Sequence, residues 1–204
     1  MEYIVKVNYL AHAYLSFEHP EILTGNMISD YVKGKKKFDY SPYILAGIDY
    51  HRAIDTFTDE HPVTKSAKQI FKPVYGAYSS AFMDVVYDHF LARSLADDRA
   101  NDFGAFTKRV YAQLDGFKQV FPLPFTVMFP HMKQHDWLYN YQFSWGIANS
   151  FEGLVRRAAY LTDSSDAFLL FEKNYNDLHA WYDLFFPALK EFSLDTFHKI
   201  IRET

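Results

Sequence analysis

The chain has 204 residues, 49% of them hydrophobic, a formal net charge of −4 and no cysteine. That length and apolar content describe one sizeable core and exclude a disordered chain. The missing thiols exclude disulfides, cysteine nucleophiles and zinc–thiolate sites and fit a reducing cytoplasm; the mild acidity argues against a general nucleic-acid binder.

The first segment, MEYIVKVNYLAHAYLS, lacks the basic start and small-residue cleavage site of a signal peptide. No apolar run approaches the ~18 residues of a membrane span. Apolar residues recur at three and four positions nearly throughout, as in AFTKRVYAQLDGFKQVF and FLLFEKNYNDLHAWYDLF. No Asn-Gly or Asp-Gly joins two alternating runs, and the Asp-Gly at 115–116 lies inside a helical pattern. Breaks are expected near 19–21, 33–42, 61–62, 72–76, 121–125 and 161–166, where Pro, Gly, Ser and Asp gather. Pro187 should kink the last helix without ending it. The expectation is all-α: a single domain over residues 1–204, with about eight to ten helices.

Four segments set polar residues into these apolar patterns at a four-residue step: Asn8 and His12 in NYLAHAYLS, Asn26 and Asp30 in GNMISDYVKG, His51, Asp55 and Asp59 in GIDYHRAIDTFTDEHP, and Asp84 and Asp88 in FMDVVYDHFLAR, where His89 follows. Four residues is just over one helical turn, so such side chains stack on one face at ~6 Å per step. Taken singly, each has a plain reading: a satisfied core histidine, a wet acidic edge, or an ion pair of Arg52 with Asp49, Asp55 or Asp59. Taken together, carboxylates and imidazoles on several half-buried faces match the oxygen-and-nitrogen shell of Mn²⁺, Mg²⁺ or Fe²⁺. His135-Asp136 is a literal His-Asp dipeptide, but a dipeptide is expected by chance.

In order, the four blocks resemble the successive motifs of the acyl carrier protein phosphodiesterase family: Asn-aromatic-Leu-Ala-His, Gly-Asn…Asp-aromatic-Val-Lys-Gly, His-Arg-x-Ile-Asp…Thr-Asp and Asp-His-Phe-Leu, all within residues 8–93. The Met132–Trp137 region and the Trp181-Tyr182 helix match more loosely. The chain departs from the pattern in its leading MEYIVKV and in Asp49-Tyr50 before His51. The family's metal-site blocks include no His-Asp at 135–136, which marks that dipeptide as a decoy.

The resemblance implies a fold distantly like that of the HD phosphohydrolases, a divalent metal with Mn²⁺ favoured, and one reaction. That reaction is hydrolysis of the phosphodiester joining 4′-phosphopantetheine to a serine of holo acyl carrier protein. The residues it implies are His12, Asp30, His51, Arg52, Asp55, Asp88 and His89. By motif position, His12, Asp30, His51 and Asp88 are expected as metal ligands. Asp55 would orient a ligand or the attacking water. Arg52 would stabilise phosphoryl charge, and His89 would protonate the leaving serine oxygen. The partner would be a strongly acidic carrier protein, steered by Lys33, Lys35, Lys36 and Lys37 and by a second stripe at Lys65, Lys68 and Lys72. The basic run reads equally as a solvated loop. Two other readings stand beside this one: an HD-like phosphohydrolase acting on a small nucleotide, and a non-catalytic helical binding module.

Overall fold

The computed structural model describes residues 8–100 and 102–204; the expectation for MEYIVKV, residues 1–7, lies outside them. Among the described residues there are α-helices, short 3₁₀ turns and no strand. The α-helices are α1 (Tyr9–Tyr14), α2 (Pro20–Ile28), α3 (Pro42–Glu60), α4 (Pro62–Ala67), α5 (Lys72–Tyr75), α6 (Ser79–Asp97), α7 (Phe103–Asp115), α8 (Leu123–Gln134), α9 (Trp137–Asn140), α10 (Ser144–Arg157), α11 (Ser165–Lys173) and α12 (Tyr175–Glu203). All-α was the expectation, and it holds.

The count of twelve exceeds the eight to ten expected because α4, α5 and α9 are single short turns, too brief to carry an amphipathic period. Helix starts follow the local chemistry. Proline stands in the first turn of α2, α3 and α4, where its missing N–H has no partner to lose. Asp102 caps α7, its side chain accepting from the Ala105 N–H at 2.9 Å. Asp115-Gly116 ends α7 instead of lying inside it. The apolar pattern over 168–185 is split at Asn174, which separates α11 from α12. α12 runs through Pro187 to Glu203.

α6 is the central element: every residue from Ala81 to Ala92 is buried. α1, α10, α12 and α7 pack around it. The most extensive pairing is α2 on α3, and two glycines set it. A β-carbon at Gly25 would collide with the Ile44 carbonyl oxygen, and one at Gly47 with the Ile22 carbonyl oxygen. Only hydrogen at both positions lets the backbones come this close. The close crossing carries the turn after α2 against the middle of α3, where the polar residues gather.

Candidate metal centre

His51 and Asp55 stand one turn apart on α3 and face inward. Asp30 comes from the 3₁₀ turn Ser29–Tyr31 that follows α2, and His12 from α1. The two imidazoles stack with ring centroids 4.0 Å apart and planes 17° from parallel. Nε2 of His12 lies 3.4 Å from Asp55 Oδ1, and Nε2 of His51 lies 3.4 Å from both Asp55 Oδ2 and Asp30 Oδ1. Among the described residues, His12, His51 and Asp55 bring one donor atom each to within 4.8 Å of one another.

The electrostatics of this group are tightly coupled. Burial alone would lower the basicity of His51, but the Asp55 and Asp30 carboxylates outweigh it and hold the imidazole up to about 10. His12 moves the other way, lowered by burial and by the His51 charge stacked on it. Two cationic rings in contact repel, so the two do not take up charge together. Burial opposes ionisation of Asp55, yet His51 and His12 hold its carboxyl well below the usual range. Both rings are almost fully buried, and neither nitrogen of either makes a well-formed hydrogen bond. Leaving such atoms unsatisfied in a protein interior is costly. Two imidazoles and a carboxylate converging on one point, with a second carboxylate at the rim, are what a divalent ion asks for. The donors fit a metal.

The supports of the group are built from the backbone. Asn26, one turn before Asp30, donates from Nδ2 to the His12 carbonyl at 2.9 Å and to Ser16 Oγ at 3.1 Å. Ser16 Oγ in turn donates to the same carbonyl at 2.7 Å. This network fixes α1 against α2. No role for Asn26 follows from the sequence alone; its four-residue step before Asp30 is the available signal.

Three of the four expected ligands, His12, Asp30 and His51, are brought together, and Asp55 joins them as a donor. Asp88 lies next to this group but is not among its converging donors. Its Oδ2 and Oδ1 accept the Leu10 and Ala11 N–H groups at 3.0 and 2.8 Å, so it caps the start of α1 from the neighbouring helix. His89 is placed elsewhere. Its Nδ1 lies 2.7 Å from the Tyr141 carbonyl and its Nε2 3.0 Å from the Tyr175 hydroxyl. A neutral ring protonated on Nδ1 satisfies both partners, and burial holds its pKa down to about 4.

Arg52 is exposed beside His51, with Nη2 donating to the Val32 carbonyl at 3.2 Å and Nη1 3.4 Å from Asp49. Asp59, third in the four-residue line, turns away to Lys68 at 2.9 Å. That contact also ties down Lys68 of the second basic stripe. In the first run, Lys37 binds Asp49 at 2.7 Å, while Lys33, Lys35 and Lys36 are exposed. No described helix is long and apolar enough to cross a membrane.

The model of the acyl carrier protein phosphodiesterase family matches residues 7–189. Among similar proteins, the acyl carrier protein phosphodiesterase of Photorhabdus laumondii is 30% identical over 188 residues, covering 91% of this chain and 94% of its own. That of Serratia proteamaculans is 28% identical, covering 93% and 98%, and that of Yersinia enterocolitica 30%, covering 90% and 95%. No solved structure matches. The match spans all four polar blocks and nearly the whole helical array, and the chain belongs to the acyl carrier protein phosphodiesterase family.

Proposed function

We propose that the protein hydrolyses the phosphodiester between 4′-phosphopantetheine and a serine of holo acyl carrier protein, releasing the apo-carrier. His12, His51 and Asp55 would hold a divalent ion, Mn²⁺ before Mg²⁺ or Fe²⁺, with Asp30 as a further oxygen donor at the rim. The observation that carries this reading is the pair of buried imidazoles whose nitrogens make no well-formed hydrogen bond while a carboxylate faces both. A divalent ion supplies Lewis acidity, neutralising phosphoryl charge and making water a better nucleophile near neutral pH.

The chain's own residues do the rest. Asp55 faces both imidazoles and fixes their ring orientation, a role it combines with donating oxygen. Asp30, half-buried at 28% side-chain exposure, borders the solvent side, where a diester enters. Arg52 uses two of its nitrogens on Asp49 and Val32 and keeps further N–H donors for phosphoryl oxygens. His89 is not assigned the acid's role in this reading, because both its ring nitrogens are held by partners away from the group. The exposed lysines at 33, 35 and 36 border this side of α3, since Lys37 reaches Asp49 three residues before Arg52. They would steer the acidic carrier.

The test is incubation with holo acyl carrier protein and Mn²⁺, with mass spectrometry reading loss of the 4′-phosphopantetheine moiety. Nucleotides under the same metal are the control. Conversion to the apo-carrier supports the reading. An intact holo-carrier beside a hydrolysed nucleotide assigns the site to a small-molecule phosphohydrolase. Replacing Arg52 by Lys should keep fold and metal and lower kcat, since an ammonium cannot reproduce the planar fork; unchanged turnover makes Arg52 a structural residue.

A further inference from the structure

Apart from the His–Asp group, the molecule has a cavity of about 560 Å³ between α9 and α10. This size lies within the ~300–1,000 Å³ typical of small-molecule sites. Trp137, Tyr141 and Trp145 give it aromatic walls, Asn149 faces it with an amide, and Arg156 and Arg157 stand at its edge. Among the described residues, neither arginine nor Asn149 is held in an ion pair or hydrogen bond. Trp145 is 53% exposed and stacks on Phe143 at 5.6 Å, an aromatic shelf at the opening.

A pair of tyrosine hydroxyls stands beside the His–Asp group. Tyr31 directly follows Asp30, and its hydroxyl is 2.8 Å from that of Tyr9. Asp30 of that group and Arg157 of the cavity both act on this pair through their charges. An occupant suited to both places is long and mostly neutral, bears amides and apolar carbons, and carries its anionic charge at one end. A nucleotide distributes these features differently, with its aromatic base at the end remote from the phosphates.

We infer that the cavity between α9 and α10 receives the pantetheine arm of the carrier substrate, with its phosphodiester end directed past Arg157 toward the His12–His51–Asp55 group. The inference rests on the function proposed above. The indoles pack against the methylene and dimethyl carbons, and Asn149 pairs with an amide of the arm. The cavity thereby selects diesters that carry this arm over diesters that do not.

Tryptophan fluorescence tests this directly, because two of the chain's three tryptophans line the cavity. Pantetheine, which has no phosphate, is titrated into the wild-type protein and into Gly153→Leu. A β-carbon at Gly153 first meets the Arg157 side-chain tip, at 3.5 Å, so the added side chain fills the cavity without displacing backbone. Saturable quenching in the wild type, weakened about tenfold or more in Gly153→Leu, is expected. The KM for holo-carrier should rise by a similar factor, while hydrolysis of bis(p-nitrophenyl) phosphate, which lacks the arm, stays unchanged. Ser150→Leu, at another position lining the cavity, provides a second filling variant if Gly153→Leu fails to fold. Absence of quenching by pantetheine overturns the inference, as does quenching by ADP alone. So does an unchanged KM in both filled variants of an enzyme that hydrolyses holo-carrier. If the wild type leaves holo-carrier intact, the proposed function fails, and the pantetheine titration still decides the cavity.

Discussion

Two His–Asp constellations lie close together in this molecule and have opposite character. On α1, α3 and the turn after α2, His12, His51, Asp30 and Asp55 press their polar atoms together at 3.4 Å, with both rings short of hydrogen bonds. On α6, Asp88 and His89 are just as buried, yet both carboxylate oxygens and both ring nitrogens have partners at 2.7–3.0 Å. Burial of polar groups is common to both, so it does not mark a site. The difference is satisfaction: a saturated group holds helices in place, and an unsaturated one has capacity left for a ligand.

The sharpest way to break this comparison is His51→Ala. Metal binding should be lost and turnover should fall by about 100-fold or more, because the proposed ligand and the central member of the group go together. Metal should raise the Tm of the wild type and leave that of the variant unmoved, since only a bound ion stabilises the folded state. Elemental analysis after dialysis reads the stoichiometry; one ion per chain in His51→Ala would remove the unsaturated group from consideration as the site.

Asp88→Ala should act through stability. It strips the acceptor from two buried N–H groups at the start of α1, at a cost of about 2–5 kcal/mol in chemical denaturation. His12 rides on α1, so metal affinity weakens with it, but saturating metal should restore much of the activity. Complete loss of metal at high ion concentration, with α1 still folded, would make Asp88 a ligand after all.

His89 gives the α6 pair a pH signature. Its folded pKa is near 4, below the ordinary ~6.5 of an exposed imidazole. The stabilisation is therefore fully present above pH ~6.5 and is lost as pH falls toward 4, because the unfolded chain takes the proton first. The total at stake is about 3 kcal/mol. His89→Asn should flatten the acid limb of unfolding free energy between pH 6.5 and 4.5. Its metal affinity should stay within about threefold of wild type. An unchanged acid limb would show that His89 is not buried as a neutral ring.

The same contrast explains what was legible beforehand. Helical period gave the class of fold, and a four-residue step put His51 and Asp55 on one face of α3. The blocks of the family resemblance led to His12 and Asp30. The short helices α4, α5 and α9 escaped because one turn is too short to display a period. The partners of Asp88 and His89 were hidden for a different reason: from Ala81 to Ala92 every side chain is buried, so this stretch of α6 has no solvent face to orient it. What each buried polar residue meets there depends on neighbours distant in sequence, the start of α1 for Asp88 and Tyr141 and Tyr175 for His89. Lys68 and Lys37 make the same point at the surface, since their partners Asp59 and Asp49 come from another stretch of chain.

The smallest expected effect concerns those lysines and extends the comparison from buried to exposed charge. Lys37 is paired with Asp49, whereas Lys35 and Lys36 are exposed. A charge already neutralised nearby contributes little to the field felt by an approaching acidic protein, so the exposed pair should dominate steering. Replacing Lys35 and Lys36 together by Ala should raise the KM for holo-carrier about threefold at low ionic strength and leave kcat near wild type. The difference should shrink toward nothing as salt shortens the Debye length to less than ~10 Å. Lys37→Ala, by contrast, frees Asp49 beside Arg52 and should alter kcat more than the salt dependence of KM. KM measured against salt for both variants separates the cases. Equal salt slopes in wild type and the double variant would make the run a solvated loop, with steering left to other parts of the surface.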